Sequence, residues 1–451
     1  MRFDDENLVS CAGLVPVMAL AGQVGLSDLV AEHVTITDPP IASTGANPAG
    51  KISSIVAGMA AGADSIDDLD VIRHGGMPRL FAGVYAPSTL GSFLRAFTHG
   101  HARQLAAASR RLLVNLTART PILAGAGELT YVDIDSLLRR VYGKHKQGAS
   151  FGHTKVGGYP VLLRGLSPLV VTLSTPIAAP VVAAIRLREG KAGSARGAAS
   201  LLAEGLSTAK ACGAGRLLAR ADSAFYAAEV VSTARRAGAW YSVTVSMNRG
   251  IHRAIGTIAE DGWTPIHYPD AVEDPDTGEL ISDAEVAETT YTAFTGRHRT
   301  TARLVVRRVK DKTHAEELFP VYRYHAFLTN STLSTVDADI THRQHAIIET
   351  VFADLIDGPL AHLPSGHFNA NTTWALCAAI CHNLLRAAGS LASRFHAKAR
   401  GATLRRHLIT VPARLARPQG KPTLHLPTHW PWHNAWHALH DAVTSPPPTA
   451  A

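Results

Sequence analysis

Apolar positions recur three and four apart over residues 1–125, β-branched runs are short, and turn-rich punctuation falls at Asp38-Pro39-Pro40, at 45–50 and at Gly75-Gly76-Met77-Pro78. That pattern predicts a helical N-terminal region. Within it, APSTLGSFLRAFTHGHARQL (86–105) sets Leu90, Phe93, Leu94 and Phe97 on one apolar stripe behind a Ser88 or Thr89 N-cap. Arg95, His99, His101 and Arg103 then form a basic face. An ordinary amphipathic surface helix shares this pattern; a helix docking on DNA through Arg95 and Arg103 is the functional alternative.

At Leu129 the period changes to two. Tyr131, Asp133 and Asp135 alternate with Val132 and Ile134, so a strand places both carboxylates on one face. Strand-like runs follow at 167–175 and 180–187, then an Ala-rich helix at 195–212, a strand at 216–222 ending in Asp222, a helix near 227–237 and a strand at 240–246. Three strands in series before the first crossover helix predict an α/β fold with a ribonuclease H-like core, 126–247, where a Rossmann unit would alternate from the start. Residues 248–330 break the pattern with an acidic, turn-rich piece and alternating runs (TYTAF, TARLVVRRV, VYRYHAFLT), read as a β-rich insertion. The core resumes over 331–400 with a long helix at 341–356, apolar along Ile347, Ile348, Val351, Phe352 and Leu355. Residues 401–451 alternate basic and proline-rich pieces.

Composition narrows the classes. Forty-four Lys and Arg against 36 Asp and Glu give a formal charge of +8 in a chain of 451 residues, favouring a polyanionic partner. Four cysteines cannot form a disulfide framework in so long a chain, which fits a reducing compartment. No apolar run is long enough to predict a membrane span. Residues 8–22 have the length of a signal core, but Asp4, Asp5 and Glu6 against Arg2 give the preceding segment the wrong sign. Cys377, Cys381 and His382 invite a zinc reading, yet they lie in the apolar run ALCAAICHNLL, where two buried thiols are the better account. His429, His433 and His437, interleaved with Trp430, Trp432 and Trp436, read as a docking or DNA-facing segment rather than a metal site.

Three acids stand out by position: one at the end of the first strand (Asp135, with Asp133 as alternative), Asp222 at the end of the fourth, and Glu349 on the late helix. In a ribonuclease H-like sheet those two strands are neighbours and the helix packs beside them. Hard oxygen ligands there suit Mg²⁺ or Mn²⁺, and two such ions can drive an in-line phosphodiester displacement. Singly, each acid has a plainer reading as a sheet-edge, N-cap or solvated helix residue; glycosidases also pair carboxylates, but offer no reason for this strand order. Cations flank the first acid in RRVYGKHKQGASFGHTK, among them Lys144, Lys146 and Lys155, a Gly-rich segment suited to phosphate or else a solvated hairpin. Trp263 or Tyr268 in the insertion could stack on an extruded base, or simply fill the insertion's core.

The motifs YVDIDS, RADSAFY and HRQHAIIETVFADL, with PSTLGSFLRAFTHGH before them and LPSGHFNANTTWALCAAICHNLLRA after, resemble the DDE-type transposases of bacterial insertion sequences, in the branch called group-one DDE-domain transposases. The resemblance implies a ribonuclease H-like core interrupted by a β-strand insertion, flanking helical DNA-binding segments, and metal-dependent DNA cleavage and strand transfer. It implies Asp135, Asp222 and Glu349 as the acids, Asp135 because the strand-end Asp precedes a small hydroxyl residue, here Ser136. It also implies double-stranded DNA as partner, a homodimer holding paired ends, and a bacterial cytoplasmic enzyme associated with the nucleoid. Where the broader group carries Tyr, Arg and Lys around the Glu, this chain has His342, His345 and Ile356, which leaves phosphate contacts to Arg343 and the histidines. The competing functions are another nuclease on the same fold, or a DNA-binding protein that has lost catalysis.

Overall fold

The computed structural model describes residues 1–39, 41–81, 83–156, 159–266, 284–310 and 321–445. The helical periodicity of the N-terminal region becomes α1 (Leu14–Gln23), α2 (Leu26–His33), α3 (Pro48–Ala61), α4 (Pro87–Arg95) and α5 (His99–Arg119). Local capping places several of these ends. Asn47 accepts from the Gly50 amide ahead of Pro48, the first residue of α3. The basic segment 86–105 is two helices, because Thr98 and His101 form a reciprocal cap that starts α5. α4 begins at Pro87 without a side-chain cap from Ser88 or Thr89. His101 is buried in that cap and does not join the basic face.

A nine-stranded mixed sheet follows. Its strands are β1 (Leu129–Ser136), β4 (Leu169–Ser174), β5 (Val181–Arg186), β6 (Arg216–Ala221), β7 (Trp240–Thr244), β8 (Thr264–Ile266), β9 (Ala284–Ala293), β10 (Thr300–Lys310) and β11 (Tyr322–Thr329), while β2 (Ser150–Val156) and β3 (Tyr159–Leu166) lie outside it. The strand order is β8-β9-β10-β11-β7-β6-β1-β4-β5. β1, β6 and β7 run parallel, with crossovers through α6 (Ala198–Ala211) and α7 (Ala228–Arg236), and the remaining neighbours pair antiparallel. β4 is buried along its whole length, so its sequence is a continuous apolar run broken only by Thr172 and Ser174.

Three features depart from the periodicity. The strands expected as an insertion continue the main sheet: β11 pairs with β7, Phe327 opposite Thr244, and carries β10, β9 and β8 outward. The Gly-rich basic segment after β1 is a β-hairpin, β2–β3, joined by Arg139–Arg140 into a separate three-stranded sheet. Glycine is required at its base, where a Cβ on Gly152 would lie 2.2 Å from the Gly190 carbonyl oxygen and one on Gly165 2.3 Å from that of Arg139. The late helix is broken into α8 (Thr335–Arg343) and α9 (Ile348–Ile356) by a 3₁₀ turn, Gln344–Ile347.

Behind the sheet runs α10 (Phe368–Ala392), with α3, α4, α5 and β5 packed around it. It is long and apolar enough to span a membrane by length and composition, but most of it is buried inside the protein. Asn383 on α10 brackets β5, accepting from the Val182 amide and donating to its carbonyl, both at 2.8 Å. Cys377 and Cys381 are buried free thiols, pushed up by burial, Cys381 to about 12, which agrees with the apolar reading of their segment. The C-terminal helix α11 (His433–Thr444) docks back on α1 and α10. Trp432 stacks on His407 with ring centroids 3.5 Å apart, and the Trp430 indole donates to the His407 carbonyl at 3.1 Å. That segment therefore serves docking.

Candidate active site

β1 and β6 are parallel neighbours whose register sets Asp133 beside Arg220. Two residues further on lie Asp135, near the end of β1, and Asp222, directly after Ala221, the last residue of β6. Side chains two apart on a strand share a face, so the pairing of Asp133 with Arg220 fixes the side on which the later acids emerge. The Arg220 Nε and Nη2 donate to the two oxygens of Asp133 at 2.6 and 2.7 Å, and neither residue is more than 1% exposed. The Tyr131 ring lies 4.0 Å from the same guanidinium, whose Nη1 donates to the Thr341 carbonyl on α8 at 2.8 Å. Asp133 is thus engaged in a buried tie between strands and helix.

Among the described residues Asp135 has no such ion pair. Its Oδ1 accepts from the Ser136 amide at 2.6 Å. Burial, then the negative charges of Asp222, Glu349 and Asp133, push its carboxyl up to about 7 against the Ser136 hydrogen bond. Asp222 is half-buried and caps a 3₁₀ turn, accepting from the Ala224 amide at 3.0 Å, so the N-cap role open to it from sequence is also present. Glu349 sits exposed in the first turn of α9, whose buried face is Ile348, Val351, Phe352 and Leu355. Asp135 therefore feels both Asp222 and Glu349, although 87 and 127 residues separate the three in turn.

The position of α9 is set through α8. The His342 ring is buried between the Ser242 hydroxyl (2.7 Å to Nδ1) and the Thr244 hydroxyl (2.9 Å to Nε2) of β7, stacked 4.1 Å from Phe327. Burial, with His345, Arg220 and Arg307 nearby, holds its pKa well below the ordinary histidine value. A histidine depressed in the fold takes up its proton only on unfolding, so its stabilisation is complete above about pH 6.5 and is lost as pH falls. The stability of the unaltered protein against denaturant should fall below pH 6.5 relative to that of His342→Gln, at a slope of up to about 1.4 kcal/mol per pH unit. Parallel pH dependences in the two proteins would remove this role.

The expected DNA contacts scatter. Arg95 is exposed at the end of α4, near Ser92. Arg103 pairs with Glu204 on α6 at 2.8 Å, together with Arg110 and Arg186, and so joins α5 to the sheet layer. Lys144 is exposed, whereas Lys146 donates to the carbonyls of Leu363 (2.7 Å) and Ser365 (3.0 Å). Lys155 lies in β2, its side chain outside the described residues, as is Tyr268. Arg343 pairs with Asp339 at 2.8 Å, and Arg343 and His345 line a 420 Å³ cavity beside β11. Trp263 is 8% exposed beneath the Arg308 guanidinium at 4.3 Å, a core position with no face free for a base. Arg220, Tyr142 and Phe151 were not singled out by the sequence; a buried-looking strand with an Arg two residues before its terminal acid was the available signal for the first.

Among the described residues, no three His, Cys, Asp or Glu side chains are already gathered into a ligand cage. The donor chemistry nevertheless suits a hard divalent cation: three carboxylates, no thiol or imidazole, and mutual repulsion that a cation would relieve. The arrangement is two acids at the ends of neighbouring strands with a third on a helix packed beside them, an all-oxygen donor set.

The family described as transposase DDE domain group 1 matches residues 1–447, and the chain belongs to that family. It is a DNA transposase, an enzyme of the DDE class. A cryo-EM structure of the piggyBac transposase synaptic complex with hairpin DNA is similar to it at 11% identity and a TM-score of 0.43, over 87% of this chain and 78% of that one. No curated protein matches the chain.

Proposed function

We propose that this transposase binds the double-stranded ends of its insertion sequence as a homodimer and cuts and joins them at Asp135, Asp222 and Glu349. The observation that carries the reading is the parallel register of β1 and β6, Asp133 beside Arg220 two residues before Asp135 and Asp222, together with the charges of Asp222 and Glu349 that both raise the Asp135 carboxyl. The order β5-β4-β1-β6-β7 supports a ribonuclease H-like core, and the location inferred is the bacterial cytoplasm, on nucleoid DNA. Asp135, Asp222 and Glu349 would hold Mg²⁺ or Mn²⁺, two ions per site, supplying Lewis acidity to the attacking and leaving oxygens. The Ser136 and Ala224 amides orient the two aspartates. Arg220 and His342 hold β6, β7 and α8 together, so Glu349 enters from a fixed helix. Arg95, Lys144, Arg343 and His345 are assigned to phosphates, Arg103 and Lys146 to the protein's own frame.

DNA carrying the sequences that flank the gene, in particular terminal inverted repeats, is the substrate for the test. Cutting should require Mg²⁺ or Mn²⁺, while Ca²⁺, larger and less exacting in geometry, should support binding without efficient cutting. Full cutting in EDTA would overturn the metal site.

A further inference from the structure

Four of the large apolar side chains left exposed belong to the β2–β3 hairpin and its lead-in: Tyr142 (66%), Phe151 (59%), Tyr159 (76%) and Leu162 (54%). The pairs Phe151–Arg164 and His153–Leu162 put Phe151, Leu162 and Arg164 on one face, while Tyr159, opposite Val156, falls on the other. The Arg140 guanidinium lies 4.9 Å from the Tyr142 ring, and Lys144 is exposed beside it. Here the surface forms a 610 Å³ concavity lined by Arg140, Tyr142, Lys144, Phe151, Leu162 and Arg164. Arg140, Val141 and Tyr142 also wall a second, 620 Å³ cavity that reaches α4 at Ser88, Ser92 and Arg95. Asp67 is the one acid on either lining, against Arg95, Arg140, Lys144, Lys146 and Arg164.

The platform is rigidly tied and close to the proposed chemistry. Arg140 follows Asp135 by five residues. Arg139 donates to the Ala361 carbonyl at 2.7 Å, Arg164 to that of Gly143 at 2.7 Å, and Lys146 to the 363 and 365 carbonyls. Exposed rings alone would suit a protein partner, but the excess of cations around them calls for phosphates. An intact duplex offers phosphates and keeps its bases stacked inside, leaving the rings without partners. Unpaired nucleotides satisfy both, bases on rings and phosphates on cations.

We infer that the two joined concavities hold a single-stranded or splayed stretch of DNA next to the cut site, with Tyr142 and Phe151 as stacking residues and Arg140, Lys144 and Arg95 on the backbone. This rests on the DNA-processing reading above. The test measures fluorescence anisotropy of labelled oligothymidine and of a blunt duplex with the full-length protein. Tyr142→Ala with Phe151→Ala should weaken oligothymidine binding about tenfold or more, and duplex binding less than about twofold. Arg140→Gln should also lower the salt dependence of oligothymidine binding.

Equal losses on both probes, or no loss on oligothymidine, would reject the stacking role. An unaltered protein that binds duplex but not oligothymidine rejects this inference and leaves the transposition reading standing; one that binds no DNA brings down that reading itself. A change in oligomeric state without a change in oligothymidine affinity would mark the face as a contact between copies and overturn the proposal.

Discussion

Asp222→Ala protein is expected to bind its DNA ends within about twofold of the unaltered chain while cutting them on the order of 10³-fold more slowly. On the proposed reading binding rests on phosphate contacts spread over Arg95, Lys144 and Arg343, away from Asp222. Cutting, on the same reading, needs the carboxylate that follows the last residue of β6, which neither neighbouring acid can replace. Asp135→Ala and Glu349→Ala should behave alike. The Asp222 variant forfeits its bond from the Ala224 amide, a loss of about 1 kcal/mol. Asp135→Asn should leave the metal-free protein as stable as before or more so, because burial and three neighbouring acids oppose the ionised carboxyl. Cleavage assays beside thermal melts separate the two effects. Retained cutting in Asp222→Ala would sink the site.

The largest stability loss is expected at Arg220. Removing one partner of a buried, bidentate pair leaves the other charge uncompensated, so Arg220→Leu or Asp133→Ala should cost about 3–5 kcal/mol in urea denaturation. The double replacement Asp133→Leu with Arg220→Met should recover most of that, since neither charge is then stranded. It should nonetheless cut slowly, because the bond from Arg220 to the Thr341 carbonyl, which ties α8 to β6, is gone. Arg220→Leu protein as stable as the parent would show the pair to be dispensable. An inactive, well-folded Asp133→Ala protein beside an active Asp135→Ala one would transfer the first catalytic position to Asp133.

Local pattern alone determined the elements whose reason is local. The alternation of Tyr131, Asp133 and Asp135 with Val132 and Ile134 marks β1, and the apolar runs of β4, β5 and β6 mark strands buried on both faces, because side-chain period is a property of the strand itself. The order of those strands and the strand-end position of Asp222 were legible for the same reason. Tertiary structure decided whatever depends on register or on a neighbour far along the chain. By strand period Asp133 and Asp135 are equivalent; only the β1–β6 register sets Arg220 beside one and not the other. Trp263 reads as either a stacking aromatic or a core residue until Arg308, from β10, is laid over its ring. Arg103 reads as a free cation until Glu204 on α6 is brought to it. Gly152 and Gly165 weaken the strand signal of the hairpin, and the reason for both is a backbone contact with Gly190 and Arg139 that no local period encodes.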